Sequence, residues 1–293
     1  MHDELIAEEP LQILAAGPGQ EPVALVTTVR TPGHEHELAV GWLLAEGFAT
    51  PDDIVEVAFG DAVVLARPDD TVIVSLRVPV DPGTVEHRHA VATASCGVCG
   101  RASIAALTDR LAAMPVATPA NATPANATPA SATPASATPA SATPGRVAEG
   151  TEPVAWDTLA RLPDELRLAQ PRFASTGGVH AAGLFDHAGR MVTVREDVGR
   201  HNALDAVIGA QALGGVWPAD GLQDLIGVLS GRIGFELVAK AAAARLPILV
   251  AVGAASDLAV RTADALGVTL VGFLRDGDGT VYTHPERLAL PGS

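Results

Sequence analysis

Lysine is all but absent from this chain of 293 residues: Lys240 stands alone among 19 basic residues, the rest being arginine, a scarcity that reflects compositional bias rather than mechanism. Cationic charge of any kind is short. Asp and Glu number 34, the formal net charge is -15 and the pI is near 4.9. A nucleic-acid binder is not expected, because neutralising phosphates takes clustered Lys and Arg. Cysteine is scarce too, with only Cys96 and Cys99. A disulfide-stapled secreted protein carries more, spaced to close larger loops. A bridge between positions so close would constrain little of the unfolded chain. No apolar run approaches the roughly 20 residues of a membrane-spanning helix; the longest, Leu246 to Ala255, suits a buried strand. The opening Met1-His2-Asp3-Glu4-Leu5 lacks the basic-then-apolar layout of a signal peptide. The expectation is a cytoplasmic protein with no membrane partner. What is plentiful is apolar side chain, at 48% with mean hydropathy +0.27, enough for a sizeable core.

One stretch differs from the rest. From Ala117 to Gly145 the chain repeats Ala-Thr-Pro-Ala-Asn or Ala-Thr-Pro-Ala-Ser. Proline at every fifth position forbids a helix and removes too many ladder donors for a central strand. This predicts a solvated, partly polyproline-like linker, tolerated as an insertion. Three parts result: 1–116 with the cysteine loop, 117–146 as linker, and 147–293. In the first, Val23–Arg30, Ile54–Phe59, Ala62–Ala66 and Val72–Val78 suit strands, and His36–Phe48 suits an amphipathic helix, as does Ser103–Met114 a helix after the cysteines. In the last, Gly183–Phe185, Met191–Val194, Leu225–Leu229, Ile248–Val252, Thr269–Phe273 and Val281–Tyr282 suit strands. Helices are expected over Asn202–Ala212, Gly234–Ala244 and Asp257–Leu266. Strand and helix alternating at these lengths predict an α/β layer with some parallel strands, α+β overall, beside a smaller β-rich N-terminal region.

Five segments could carry chemistry. Ser95-Cys96-Gly97-Val98-Cys99-Gly100 sets two thiols on a permissive backbone. That pattern admits dithiol redox, half of a zinc site completed by histidines such as His34, His36, His87 or His89, persulfide carriage, or two ordinary small hydrophobes. Ser175-Thr176-Gly177-Gly178-Val179-His180 is a glycine-rich turn whose N–H groups could meet a phosphate, or simply a tight turn. Glu196-Asp197-Val198-Gly199-Arg200-His201-Asn202 opens a helix, and Arg200 with His201 there suits an anion; the alternative is a solvated helix start. Ser230-Gly231-Arg232 leaves the end of a strand, where α/β sheets bind ligands, and Arg232 suits a phosphate or carboxylate. Phe273-Leu274-Arg275-Asp276-Gly277-Asp278 leaves another strand end and is expected to line the same crevice. None is a Walker A or dinucleotide-binding loop.

In order along the chain, Arg30-Thr31-Pro32-Gly33, Glu46-Gly47-Phe48, the cysteine motif, Ser175 to His180, Glu196 to Ala203, Ser230-Gly231-Arg232 with Phe235-Glu236, and Tyr282-Thr283-His284-Pro285-Glu286-Arg287 together resemble the formate dehydrogenase accessory sulfurtransferase family, FdhD. The resemblance runs through nearly the whole chain outside the repeat. It implies a homodimer whose C-terminal region has a cytidine-deaminase-like α/β fold. It implies sulfur taken as a persulfide from a cysteine desulfurase and passed to molybdenum bis(molybdopterin guanine dinucleotide), a bound substrate rather than a permanent cofactor, for formate dehydrogenase. The persulfide position falls on Cys96, with Cys99 its pair partner. The cofactor-binding stretch falls on Phe273, Leu274, Arg275, Asp276, Gly277 and Asp278, and Arg232 and Arg200 are assigned to phosphates on physical grounds. Asp278 stands where the family tends to have arginine, and Thr280 where it tends to have asparagine.

Two other readings compete. A binding-only chaperone for the molybdenum cofactor would need the crevice but not the thiols. A zinc hydrolase like the deaminases would need His-x-Glu and Pro-Cys-x-x-Cys. Here Ala182 stands two after His180 and Ser95 precedes Cys96, so no metal site is expected.

Overall fold

A computed structural model describes residues 4–60, 70–81, 152–215, 217 and 221–291. Cys96, Cys99, the repeat, and the elements expected over 62–66 and 103–114 lie outside them.

The N-terminal part is a four-stranded sheet. Strands β1 (Glu9–Ala16), β2 (Val23–Arg30), β3 (Ile54–Phe59) and β4 (Thr71–Leu76) lie in the order β2-β1-β4-β3. β1 pairs antiparallel with β2 and parallel with β4. Leu11, Ile13 and Ala15 alternate inward on β1, as Val72, Val74 and Leu76 do on β4. β1 was not expected from the sequence, for only Gln12 breaks its apolar run.

The C-terminal part is a six-stranded mixed sheet. β6 (His180–Asp186), β7 (Met191–Asp197), β8 (Leu225–Leu229), β9 (Ile248–Ala251), β10 (Thr269–Arg275) and β11 (Asp278–Thr283) take the order β11-β10-β9-β8-β6-β7. β8, β9 and β10 are parallel, as the alternation of strands and helices predicted, while β6 runs antiparallel to β8. A two-residue pair, β5 (Val154–Ala155) with β12 (Leu288–Ala289), sits apart. Side chains of β9 divide between the faces. Ile248 and Val250 meet α2 (Trp156–Leu168) through Leu159, Leu162 and Leu166. Leu249 and Ala251 meet the core built with α4 (Arg200–Leu213), α5 (Phe235–Ala243) and α6 (Asp257–Leu266). α2 went unseen in the sequence because Pro163 lies inside it, although its three leucines hold helical spacing. The short α3 (Pro171–Thr176) follows it.

α1 (Glu35–Ala45) joins the two parts, and here an expectation fails. The helix is not one-sided. Leu38, Ala39 and Leu43 enter the core of the N-terminal sheet, while Val40, Leu44 and Ala45 enter the core of the six-stranded layer. A helix apolar all round is one buried on two faces. It meets α4 at backbone level. A methyl group on Gly41 would fall 1.7 Å from the Asp205 carbonyl oxygen, and one on Gly209 would fall 1.8 Å from that of Glu37. Only glycine permits such an approach.

Ion pairs surround this joint. Arg195 of β7 grips Glu37 with Nε and Nη2 at 2.5 and 2.6 Å. Burial opposes ionisation of Glu37, but the Arg195 fork and His34 outweigh it and hold the carboxyl down at about 2. Lys240 of α5 reaches Asp205 at 2.9 Å and Glu46 at 3.2 Å, so the single lysine is buried and spans three helices. Burial pushes Asp205 up to about 6 against the pull of Lys240. Burial works against the ammonium, and Asp205 and Glu46 more than compensate, raising Lys240 above its usual range.

Gly41→Ala and Gly209→Ala are each expected to lower stability by about 3 kcal/mol, the upper end for overpacking. The double variant should lose clearly less than the sum, since one helix displacement relieves both clashes. Thermal unfolding measures this, and full additivity would mean that the two approaches are independent.

Candidate anion-binding site

The strand directions bring four of the five candidate segments to one edge of the six-stranded sheet. His180 opens β6 and pairs in register with Asp197, which ends β7. Ser230 follows β8, and its Oγ accepts the Ala181 N–H at 2.8 Å while its own N–H donates to the Ala181 carbonyl at 3.0 Å. That sets Gly231 against His180: a methyl group on Gly231 would lie 3.2 Å from the His180 ring nitrogen Nδ1. Gly253, after β9, donates to the Gly231 carbonyl at 3.1 Å, and Phe273 of β10 donates to the Gly253 carbonyl at 3.0 Å. The loops are thus stitched by backbone hydrogen bonds from β6 across to β10.

The Glu196-to-Asn202 segment proves to be two things at once. Its acidic half is a buried joint, not a solvated helix start. Glu196 accepts the N–H groups of Arg172 and Phe173, at 2.9 and 2.8 Å, and so caps α3. Asp197 accepts from the Thr31 N–H at 3.0 Å, the Gly199 N–H at 2.8 Å and Asn202 Nδ2 at 2.9 Å. Burial pushes Asp197 above the usual carboxylate range, and these hydrogen bonds oppose it. Asn202 also donates to the Val29 carbonyl at 2.8 Å. The Arg-Thr-Pro-Gly turn after β2 is tied here, which explains why the two segments belong to one pattern.

The basic half faces the site. Burial, then the charges of Arg200, His201 and Arg232, hold His180 below the ordinary histidine value. Those four side chains therefore form one electrostatic group. Burial and the neighbouring cations both disfavour the charged form of His180. His201 Nε2 lies 3.1 Å from Glu236 Oε2, on the second residue of α5. His201 is the first reason that the Glu236 carboxyl sits below its usual range. Arg200 Nε is buried without a hydrogen-bond partner. Among the described residues neither Arg200 nor Arg232 makes an ion pair with a carboxylate. Two free guanidinium groups beside a helix start can grip a phosphate or carboxylate in forked geometry.

Other expectations are corrected. The Ser175-to-Gly178 turn does not offer its amides to a ligand: Gly177 donates to the Phe173 carbonyl at 2.8 Å and Gly178 to Thr176 Oγ1 at 3.2 Å. Ile6 covers Gly178. Within the expected cofactor stretch, Leu274 is wholly buried in the core and presents no side chain to a ligand. Phe273, Arg275, Asp276, Gly277 and Asp278 are exposed. Phe273 also holds φ 55, a strained value for a bulky side chain, while its ring is 44% exposed. The Tyr282-to-Arg287 segment is structural: Thr283 Oγ1 accepts from Leu270 N–H and donates to the Val268 carbonyl, and Arg287 donates to Thr269. The sequence placed Glu236 within a motif but gave it no role of its own. Its signal was its place four residues before the only lysine, at the start of a helix leaving a strand end.

Comparison with known proteins settles the lineage. The FdhD/NarQ family model matches residues 6–133 and 130–289, two stretches that meet within the pentapeptide repeat. The chain belongs to the FdhD/NarQ family. It is 39% identical over 298 residues to the sulfur carrier protein FdhD of Mycobacterium tuberculosis, covering 98% of this chain and 92% of the relative. It is 37% identical over 294 residues to that of Streptomyces avermitilis, covering 98% and 90%. A formate dehydrogenase accessory protein from Desulfotalea psychrophila has a crystal structure with the same fold, at TM-score 0.62 and 20% identity, covering 98% of this chain and 91% of that one. The mixed α/β class expected from the sequence stands. Among the described residues of this FdhD/NarQ member no helix is long and apolar enough to cross a membrane.

Arg200→Gln and Arg232→Gln are each expected to weaken pyrophosphate binding about tenfold, the worth of one charge-assisted hydrogen bond. Arg261→Gln, on an exposed stretch of α6, should change nothing. Titration calorimetry at fixed salt makes the comparison, and equal affinities for all three variants would remove the site.

Proposed function

We propose that the protein is a sulfur carrier that takes sulfur as a persulfide on Cys96 and passes it to molybdenum bis(molybdopterin guanine dinucleotide) for formate dehydrogenase. The observation that carries this is full-length likeness to proteins named as sulfur carriers in a chain whose only two cysteines stand three apart. The Cys96 thiolate attacks the terminal sulfur of a cysteine desulfurase persulfide. The desulfurase S–S bond breaks, its cysteine leaves as thiolate, and the sulfur remains as the terminal atom on Cys96. No oxidant or reductant is consumed in this capture; release of the sulfur as sulfide takes two electrons, which Cys96 and Cys99 supply by closing a disulfide as it leaves. Cys99 serves as pair partner.

The sheet edge supplies what such a carrier needs in order to hold its acceptor. The acceptor ends in nucleotides, whose diphosphates suit Arg200 and Arg232. Phe273 lies three strands from His180, about 14 Å at ordinary strand spacing. A nucleotide can bridge that span whereas a lone phosphate cannot, and the exposed Phe273 ring offers a flat face to a base. Arg275 adds a cation at that end. Asp276 and Asp278 repel phosphate, so the phosphates belong at the Arg200–Arg232 end. The working form is a homodimer in the cytoplasm.

Incubation with a cysteine desulfurase and L-cysteine, followed by non-reducing peptide mass spectrometry, tests the carrier role. The account expects one extra sulfur on the Cys96–Cys99 peptide, absent in Cys96→Ala. No added sulfur, with the desulfurase proven on a control acceptor, would leave a binding-only chaperone.

A further inference from the structure

Every buried acid near the basic edge has a structural partner that it cannot leave. Asp197 holds Thr31, Gly199 and Asn202. Asp205, one turn further along α4, is buried against Lys240. Glu236 differs. Its side chain is 39% exposed, and the partner that the structure gives it is His201, at 3.1 Å. Among the described residues it accepts no backbone N–H from a neighbouring loop. The carboxylate nonetheless sits within the field of the site: His201, Arg200 and Lys240 all favour its ionised form. It also stands at the N-terminal turn of α5, where a dipole favours an anion. Among the described residues, a methyl group on the N-cap Gly234 would meet one atom within 4 Å, Glu236 Oε2 at 3.8 Å.

We infer that Glu236 is an internal counter-anion, which neutralises the basic edge when no ligand is bound and is displaced from His201 by the phosphate of an incoming nucleotide. This rests on the reading of that edge as a phosphate site. The anion that competes is part of the chain, so its local concentration is constant and it weakens every phosphate ligand alike. For a carrier that must release its acceptor after each delivery, such opposition keeps the off-rate high. Displacement costs little structure, because the side chain is half-exposed and the deeper Asp205–Lys240 pair continues to hold α4 to α5.

A merely structural Glu236 predicts the opposite sign. If its task were to orient His201 toward the ligand, removing its charge would loosen His201 and weaken binding. As a counter-anion, its removal takes away a charge of the same sign as the ligand.

Guanosine diphosphate and pyrophosphate titrated calorimetrically into the full-length wild type, Glu236→Gln and Glu236→Asp decide between these. Glu236→Gln is expected to bind both probes about tenfold more tightly, with the gain shrinking as salt is raised. Glu236→Asp, which keeps the charge, should stay close to wild type. Unfolding temperature recorded on the same samples shows whether each variant is folded. Wild-type binding with Glu236→Gln unchanged or weaker would overturn the counter-anion role and leave the phosphate site standing. No binding by either protein would overturn both.

Discussion

Two helices meeting backbone to backbone hold this molecule together. At Gly41 and Gly209 nothing but hydrogen separates α1 from α4. That approach docks the N-terminal sheet onto the six-stranded layer and fixes the position of α4 along its own axis. One face of α4 then carries His201, Asp205 and Gly209, each four residues and about 6 Å beyond the last. Gly209 is locked to α1, Asp205 is held by Lys240 of α5, and His201 meets Glu236 at the open end. The deep contacts are immovable so that the outermost can be exchanged. A shift of α4 by even an ångström would spoil the placement of Arg200 and His201.

Charge is arranged against the composition. The chain is strongly acidic, and several of its cations are committed to internal ion pairs. Arg30 is buried within ion-pair reach of Glu9, Glu35 and Asp70, Arg195 is gripped by Glu37, and the single lysine is fully committed. Among the described residues, Arg200 and Arg232 at the sheet edge make no such pair. In a low-cation protein two uncommitted guanidinium groups create a local positive field that overall charge conceals. Removing one partner of a buried pair is costly, which is why the structural cations are not available as ligand groups.

How much of this could be read from the sequence depends on where each signal lay. The parallel β8, β9 and β10 were legible because short apolar runs alternate with helical periods. β1 was not, since one glutamine hardly marks a strand, and α2 was hidden by Pro163. The helical spacing of α1 was plain, but its second buried face was not, because a pattern in one segment cannot tell how many neighbours will cover it. Arg200 and Arg232 were named from their places at a helix start and a strand end, and the fold puts both segments at the same end of the sheet. The burial of Leu274 was foreseeable from strand alternation beside the exposed Phe273. Glu236 stood within a recognised motif, but its pairing could not be read without the fold, since its partner His201 is 35 residues away in sequence. The structural role of Glu196 and Asp197 within that motif likewise appears only when Thr31, Arg172 and Asn202 are seen in place.

The central claim is that the phosphates of the carrier's acceptor lie on the edge shared by α4 and the loop after β8. The most direct test is a crystal structure of the full chain with guanosine diphosphate. The account predicts a diphosphate between the Arg200 and Arg232 guanidinium groups, Glu236 turned away from His201, and the base toward Phe273. Nucleotide bound with its phosphates elsewhere, and Arg200, Arg232 and the His201–Glu236 contact undisturbed, would contradict it.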